Sequence, residues 1–328
     1  MRISGPMLDN CYIPVARELK EVETILAGLA DFGVDLVDII TRHAIDEKGK
    51  RIRPAVSLLA ASACGIDMSI AVPIGAAIEM LHTATLLHDD VVDDSLIRRG
   101  EPSIKMRWGN QASVLIGDLL WSKAIAIFLN TKNQKLIETA NNSIAQIIRG
   151  ELLEMAYANN LETEADVCLE IIGGKTGELF SMAAASGTIA ANLEGPYGKA
   201  LSEYGMYLGK AFQLVDDTMD YAADEKTLGK TPGQDLRKGR LTYPLVLALG
   251  RADDTDRKKI REAVMSKKIS FDQFLEISQI VKETGGINDT LSLANNLCKK
   301  ARLELDIFKP SPAQDALRGI TQYVISRF

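Results

Sequence analysis

The sequence predicts an all-α protein. Three observations carry this. Apolar residues recur at three- and four-residue intervals in "VARELKEVETILAGLADF", "LIETANNSIAQIIRGELLEMAYA" and "DQFLEISQIVKETGG". Runs of alternating β-branched residues are missing. Alanine-rich stretches such as "FSMAAASGTIAA" favour helix and permit close helix packing.

With 328 residues, 46% of them hydrophobic and only 10 prolines, the chain can bury a large core. Gly, Pro and charge gather at 46–54, 98–103, 192–196 and 228–240, which read as breaks between helices. No low-complexity linker divides the chain. One domain or two closely packed ones are expected.

Composition excludes some classes. A net charge of -6, from 38 basic and 44 acidic residues, gives no basic field for nucleic acid. The four cysteines, Cys11, Cys64, Cys168 and Cys298, show no spacing of a zinc site or disulfide framework. No basic segment leads into an apolar stretch near the N-terminus, and the longest apolar region, 68–78, is too short to span a bilayer. A cytoplasmic protein is expected, with peripheral membrane contact left open.

The chemistry concentrates in "LLHDDVVDDSLIRRG" and "FQLVDDTMDY". At 100° per residue, Asp93 lies one turn beyond Asp89, and Asp220 one turn beyond Asp216. Each DDxxD thus lines two carboxylates along one helical face. Two unit charges about 4 Å apart at an effective dielectric of about 20 repel by up to about 4 kcal/mol, so a cation should compensate. With only three histidines, His43, His82 and His88, and no clustered thiols, oxygen donors select Mg²⁺, or Mn²⁺, over zinc. One DDxxD alone reads most simply as a solvated acidic helix end. Two copies of identical spacing, each after an apolar run, favour facing helices that hold a metal-bridged phosphate ester.

Cations sit beside glycines: Lys50 and Arg53 in "GKRIRP", Arg98 and Arg99, Lys175 in "GGKTGELF", Lys230 in "LGKTPGQD", and Lys238 and Arg240 in "RKGR". Singly each is an ordinary surface charge; together they exceed the need of one phosphate group. His82 lies two turns before Asp89, with Thr85 between, and Gln213 one turn before Asp217, where its amide can donate a hydrogen bond.

In their order along the chain, "EMLHTATLLHDDVVDDSLIRRG", "GNQASVLIGDLLWSKA", "GGKTGELF" and "YLGKAFQLVDDTMDY" resemble the trans-type polyprenyl diphosphate synthases. These enzymes join isopentenyl diphosphate to an allylic diphosphate head to tail. The resemblance implies the isoprenoid synthase fold, a single-domain helical bundle around a central active-site cavity, over residues 1–328 with 1–30 a helical N-terminal extension and 251–328 a helical tail. It also implies a homodimer, and Mg²⁺ held by Asp89, Asp90 and Asp93 in the first motif and by Asp216, Asp217 and Asp220 in the second. It implies that Lys50, Arg53, His82 and Arg99 bind isopentenyl diphosphate, and that Arg98, Lys175, Thr176, Gln213 and Lys230 bind the allylic diphosphate. Asp89, Asp93, Asp216, Lys175 and Lys230 would then carry catalysis. The family's late acidic-Gly-Lys turn is "KGR" here, with Arg240 in place of lysine. Ala84 and Thr85, just upstream of Asp89, are small where short-chain members carry aromatics, which points to a long-chain product. A short-chain synthase and a non-catalytic diphosphate-binding partner stand as the other readings.

Overall fold

The computed structural model describes residues 5–46, 49–98, 100–193, 195–222, 233–266 and 269–328. It is 81% helical, as the periodicity predicts. Among the described residues, extended structure is limited to a hairpin of two-residue strands, β1 (Ile97–Arg98) and β2 (Glu101–Pro102), with Arg98 opposite Glu101. That hairpin occupies the predicted break at 98–103, and Gly100 turns it with φ +81°.

The chain divides into two compact units, the first made of 1–143, 179–205 and 304–320, the second of 144–178, 206–303 and 321–328. The expected tail therefore contributes to both units.

The first unit begins with α1 (Pro6–Tyr12), α2 (Ala16–Ala27), α3 (Asp35–Asp46) and α4 (Ile52–Ala63). Its central element is α5 (Met68–Val92), started by the Asp67 side chain, which accepts from the Ser69 N–H at 2.9 Å. Apolar over most of its length, α5 is largely buried, packed against α2, α4 and α6 (Ile104–Asn130). The sequence suggested an apolar region ending at residue 78, but the helix runs on to Val92 and holds an 18-residue apolar window ahead of its acidic end. Both α5 and α6 are long and apolar enough to cross a membrane by length and composition, and 72% of the apolar window of α5 is buried inside the protein. α6 is broken at Gly109, φ +85°.

Small residues let the helices approach, as the alanine-rich stretch predicted. Ala183 and Ala184 are buried in α9 (Glu178–Ala190), and a Cβ on Gly187 would lie 3.1 Å from that of Ala61 on α4. A Cβ on Gly205, in α10 (Pro196–Ala222), would meet the Phe180 carbonyl oxygen at 2.3 Å. Tyr204, fully buried beside it, donates its hydroxyl to the Leu317 carbonyl at 2.8 Å.

The second unit takes α7 (Gln134–Tyr157) from residue 144 and α8 (Ala165–Ile172), followed by a π-helical turn, Gly173–Gly177. After α10 come α11 (Gln234–Arg237), α12 (Tyr243–Arg251), α13 (Asp254–Met265), α14 (Phe271–Glu283) and α15 (Gly286–Glu304); α16 (Pro312–Ile325) closes the chain. Leu236, Leu245, Ile260, Phe274 and Val281 form the centre of the core of this unit.

Two glycines give a matched test. Gly205→Ala forces a methyl against backbone and should destabilise the protein by about 1–3 kcal/mol. Gly250→Ala, at an exposed helical position with nothing within 4 Å of the new methyl, should stabilise it by about 0.5–1 kcal/mol. Denaturant unfolding reads both; equal effects would contradict the packing described.

Candidate active site

In the first unit, α5 delivers His82, Ala84, Thr85, Asp89 and Asp90 on successive turns and ends at Asp93. The Asp93 N–H donates to the Asp89 carbonyl at 2.8 Å, so the two carboxylates stand one turn apart, as their spacing predicted. Asp90 is fully buried, and its Oδ1 accepts from Arg98 Nε at 2.8 Å and Nη2 at 2.7 Å. Its second oxygen is buried and accepts no hydrogen bond. The cation required by the acidic cluster is thus in part internal: Arg98, expected on the allylic diphosphate, neutralises Asp90. Lys105 pairs with Asp94. α6 lies close beside this helix end: Ser113 Oγ donates to the Leu87 carbonyl at 2.8 Å, and a Cβ on Gly117 would strike His88.

Behind the acidic end, Arg53 Nη1 lies 3.1 Å from His82 Nε2, and its guanidinium stacks 4.5 Å over the Phe180 ring. Lys50 is half-buried, and its carbonyl accepts from the Tyr12 hydroxyl at 2.7 Å. Ala84 is completely buried. Thr85 turns its hydroxyl back to the His82 carbonyl at 2.8 Å, so its polar atom is satisfied within its own helix.

In the second unit, Lys175 sits in the π turn with Nζ 2.8 Å from both Glu151 and Glu154 of α7. The two segments meet through bare backbone, since a Cβ on Gly150 would come within 2.6 Å of the Lys175 nitrogen. Thr176 Oγ1 donates to Gln213 Oε1 at 2.9 Å, and Gln213 Nε2 donates to Asp217 Oδ1 at 2.7 Å. This is the one-turn contact the spacing predicted. Asp220 is buried and accepts from the Asp235 N–H at 3.2 Å. Arg240 reaches Glu154 at 3.1 Å and Asp235 at 3.4 Å. Asp216 pairs with Arg327 at 2.5 Å, whose guanidinium lies 4.2 Å over the Phe212 ring. Lys175, Gln213, Asp217, Glu154, Asp235 and Arg240 line a solvent-open cleft.

The electrostatics follow from this crowding. Burial, and then the charge of Asp235, hold the Asp217 carboxyl well above the ordinary carboxylate range; Asp216 and Glu154 push the same way, against the lowering bond from Gln213. Burial pushes the neighbouring Cys168 thiol up to about 12, so it is no nucleophile.

Arg99 and Lys230 lie outside the described residues. The residues that sequence reasoning missed are Glu151, Glu154, Asp235 and Arg327. The carboxylates of "GELLEM" three positions apart were a readable signal; Arg327 had none, since its role depends on where the chain end folds.

A divalent ion fits these residues in a specific sense. Among the described residues, no three carboxylate, imidazole or thiol groups converge on one point. The donors are all oxygen, and the field around Asp217 is strongly negative. Mg²⁺ commonly takes one or two carboxylates and completes its octahedron with water and phosphate oxygens, which this donor set allows.

Residues 34–281 match the family described as Polyprenyl synthetase. The chain is 35% identical to an all-trans-nonaprenyl-diphosphate synthase (geranyl-diphosphate specific) of Rhodobacter capsulatus, covering 96% of both proteins. It is 34% identical to octaprenyl diphosphate synthase of Escherichia coli, over 95% of this chain and 96% of that one. Short-chain synthases also occur among the relatives, at lower identity. A polyprenyl synthase of Caulobacter crescentus, crystallised with calcium and isoprenyl diphosphate, superposes with a TM-score of 0.93 at 33% identity over 99% of both chains. The chain belongs to the polyprenyl synthetase family and is a prenyltransferase.

The raised Asp217 carboxyl has a measurable sign in metal-free protein. Its folded pKa exceeds the unfolded value, so its contribution to stability is complete below about pH 4 and is lost as pH climbs through the raised value. With a chelator present, Asp217→Asn should melt above the wild type at pH 8 and level with it near pH 4. A gap independent of pH would contradict the assignment.

Proposed function

We propose that this enzyme builds a long-chain all-trans polyprenyl diphosphate by repeated condensation of isopentenyl diphosphate onto an allylic diphosphate. The observation that carries the chain length is the turn of α5 before Asp89. Ala84 is buried and small, Thr85 keeps its hydroxyl on its own helix, and Ile78 and Leu81 below them are buried aliphatics. One isoprene unit spans roughly one helical turn, so no aromatic ring blocks the first turn of growth.

Lys50, Arg53 and His82, with Arg99, hold isopentenyl diphosphate. Arg98, Lys175, Thr176 and Gln213, with Lys230, hold the allylic diphosphate. Mg²⁺, or Mn²⁺, held by Asp89, Asp90 and Asp93 and by Asp216, Asp217 and Asp220, supplies Lewis acidity toward the leaving diphosphate when bound. As the allylic carbon–oxygen bond breaks, negative charge accumulates on the departing group, and Lys175 and Arg98 stabilise it more in the transition state than in the ground state. The aliphatic wall of α5 excludes water, which would quench the allylic cation. In this reading the aspartates of both motifs are engaged with the metal, so the released diphosphate is the base that removes the final proton.

Residues 1–328 act as one polyprenyl synthetase domain, since the matched region draws on both units. A cytoplasmic homodimer is part of the same reading, supported by Met106, Val114, Leu115 and Leu129 exposed on α6; contact with membranes comes through the lipid product, and nucleic acid has no role. A short-chain product is the second reading, favoured by the short-chain relatives.

The purified protein, given Mg²⁺, farnesyl diphosphate and isopentenyl diphosphate, should release lipids well beyond twenty carbons; shorter products would support the second reading, and no extension would refute both. Asp89→Ala should lower turnover by about 10²-fold or more. Ala84→Phe should shorten the product, and unchanged length in that variant would place the tunnel floor elsewhere.

A further inference from the structure

In "GKRIRP", Lys50 and Arg53 carry the diphosphate contacts, and Arg51 between them has had no task. Arg51 is 7% exposed, and each of its three guanidinium nitrogens donates to a protein oxygen. Nε meets Glu23 on α2 at 3.0 Å, Nη1 meets Glu79 on α5 at 2.7 Å, and Nη2 meets the Ile45 carbonyl near the end of α3 at 2.7 Å. Glu79 is itself 3% exposed. The side chain is thus fully committed inside the first unit and is not a phosphate ligand.

Its backbone is equally unusual. At the N-cap of α4, Arg51 adopts φ 54°, ψ 35°, a left-handed conformation that residues with a Cβ rarely take. Such a conformation persists where the surroundings over-determine it. Here three ties converge on one turn: Tyr12 holds the Lys50 carbonyl, Arg51 holds Glu79, and Arg53 meets His82. Glu79 stands one turn before His82 on α5. The Arg51–Glu79 pair therefore connects the turn that presents Lys50 and Arg53 directly to the helix that presents His82.

We infer that Arg51 is a positioning residue for isopentenyl diphosphate: held by Glu79, Glu23 and the Ile45 carbonyl, it fixes the turn from which Lys50 and Arg53 reach the same diphosphate as His82. The inference rests on the proposed reading of those three residues as isopentenyl diphosphate ligands. Arg51 itself touches no substrate. Lysine cannot replace it, because a single ammonium nitrogen cannot stand where three separate guanidinium nitrogens meet acceptors on three different helices.

The test is steady-state kinetics on the full chain with both substrates varied. Arg51→Lys should raise KM for isopentenyl diphosphate about tenfold, and Glu79→Gln and Tyr12→Phe several-fold, with kcat and KM for the allylic diphosphate within about twofold of wild type. A purely structural part would lower kcat or raise both KM values together, and either result overturns the inference, as does an unchanged KM for isopentenyl diphosphate. Should Arg51→Lys fail to fold, the two milder variants decide the matter. Lys50→Ala runs in parallel: if it leaves KM for isopentenyl diphosphate unchanged, the ligand assignment beneath the inference falls.

Discussion

Like-charge repulsion between clustered carboxylates is the constraint around which this protein is organised. A catalyst that binds diphosphate through divalent ions must gather acidic groups, and gathered acidic groups repel when the ions are away. The chain answers with cations of its own. In the first unit Arg98 grips buried Asp90. In the second, Arg327 holds Asp216, while Lys175 and Arg240 converge on Glu154, and Arg240 also reaches Asp235. Removing one member of a buried pair leaves an uncompensated charge, which costs far more than the pair itself contributes. The compensating residues are therefore part of the machinery even where they touch no substrate.

Placing those charges falls to features of backbone rather than of side chain. Gly117 lets α6 lie against His88, next to the first acidic pair. Gly150 lets α7 approach the π turn closely enough for Glu151 and Glu154 both to reach Lys175. π-helical turns often accompany functional sites, and here the turn presents Lys175 and Thr176 side by side, one to carboxylates and the other to Gln213. Arg51 repeats the logic in a left-handed turn.

The helical class, the two DDxxD motifs and the Gln213–Asp217 contact were legible because each depends on spacing within one helix, where 3.6 residues per turn fixes geometry. Arg327 and Asp235 were not, since only the folded chain brings position 327 to position 216, and position 235 to position 220. Arg51 was hidden in plain view: its neighbours in "GKRIRP" were read as anion ligands, and nothing in the string distinguishes an arginine that faces a phosphate from one buried between glutamates. The hairpin at 97–102 shows the same limit, because two-residue strands leave no periodicity to detect. The apolar reach of α5 was read short for a different reason, since polar residues such as Glu79 interrupt the run while the helix around them stays buried.

In the function proposed above, the acidic clusters are balanced internally and accept divalent ions fully only together with phosphate oxygens. Calorimetric titration of the whole protein with Mg²⁺ alone, with pyrophosphate alone and with magnesium pyrophosphate tests it directly. The account predicts that the combined species binds at least about tenfold tighter than either component, because the carboxylates complete the coordination only in part. Mg²⁺ binding just as tightly without pyrophosphate would contradict it.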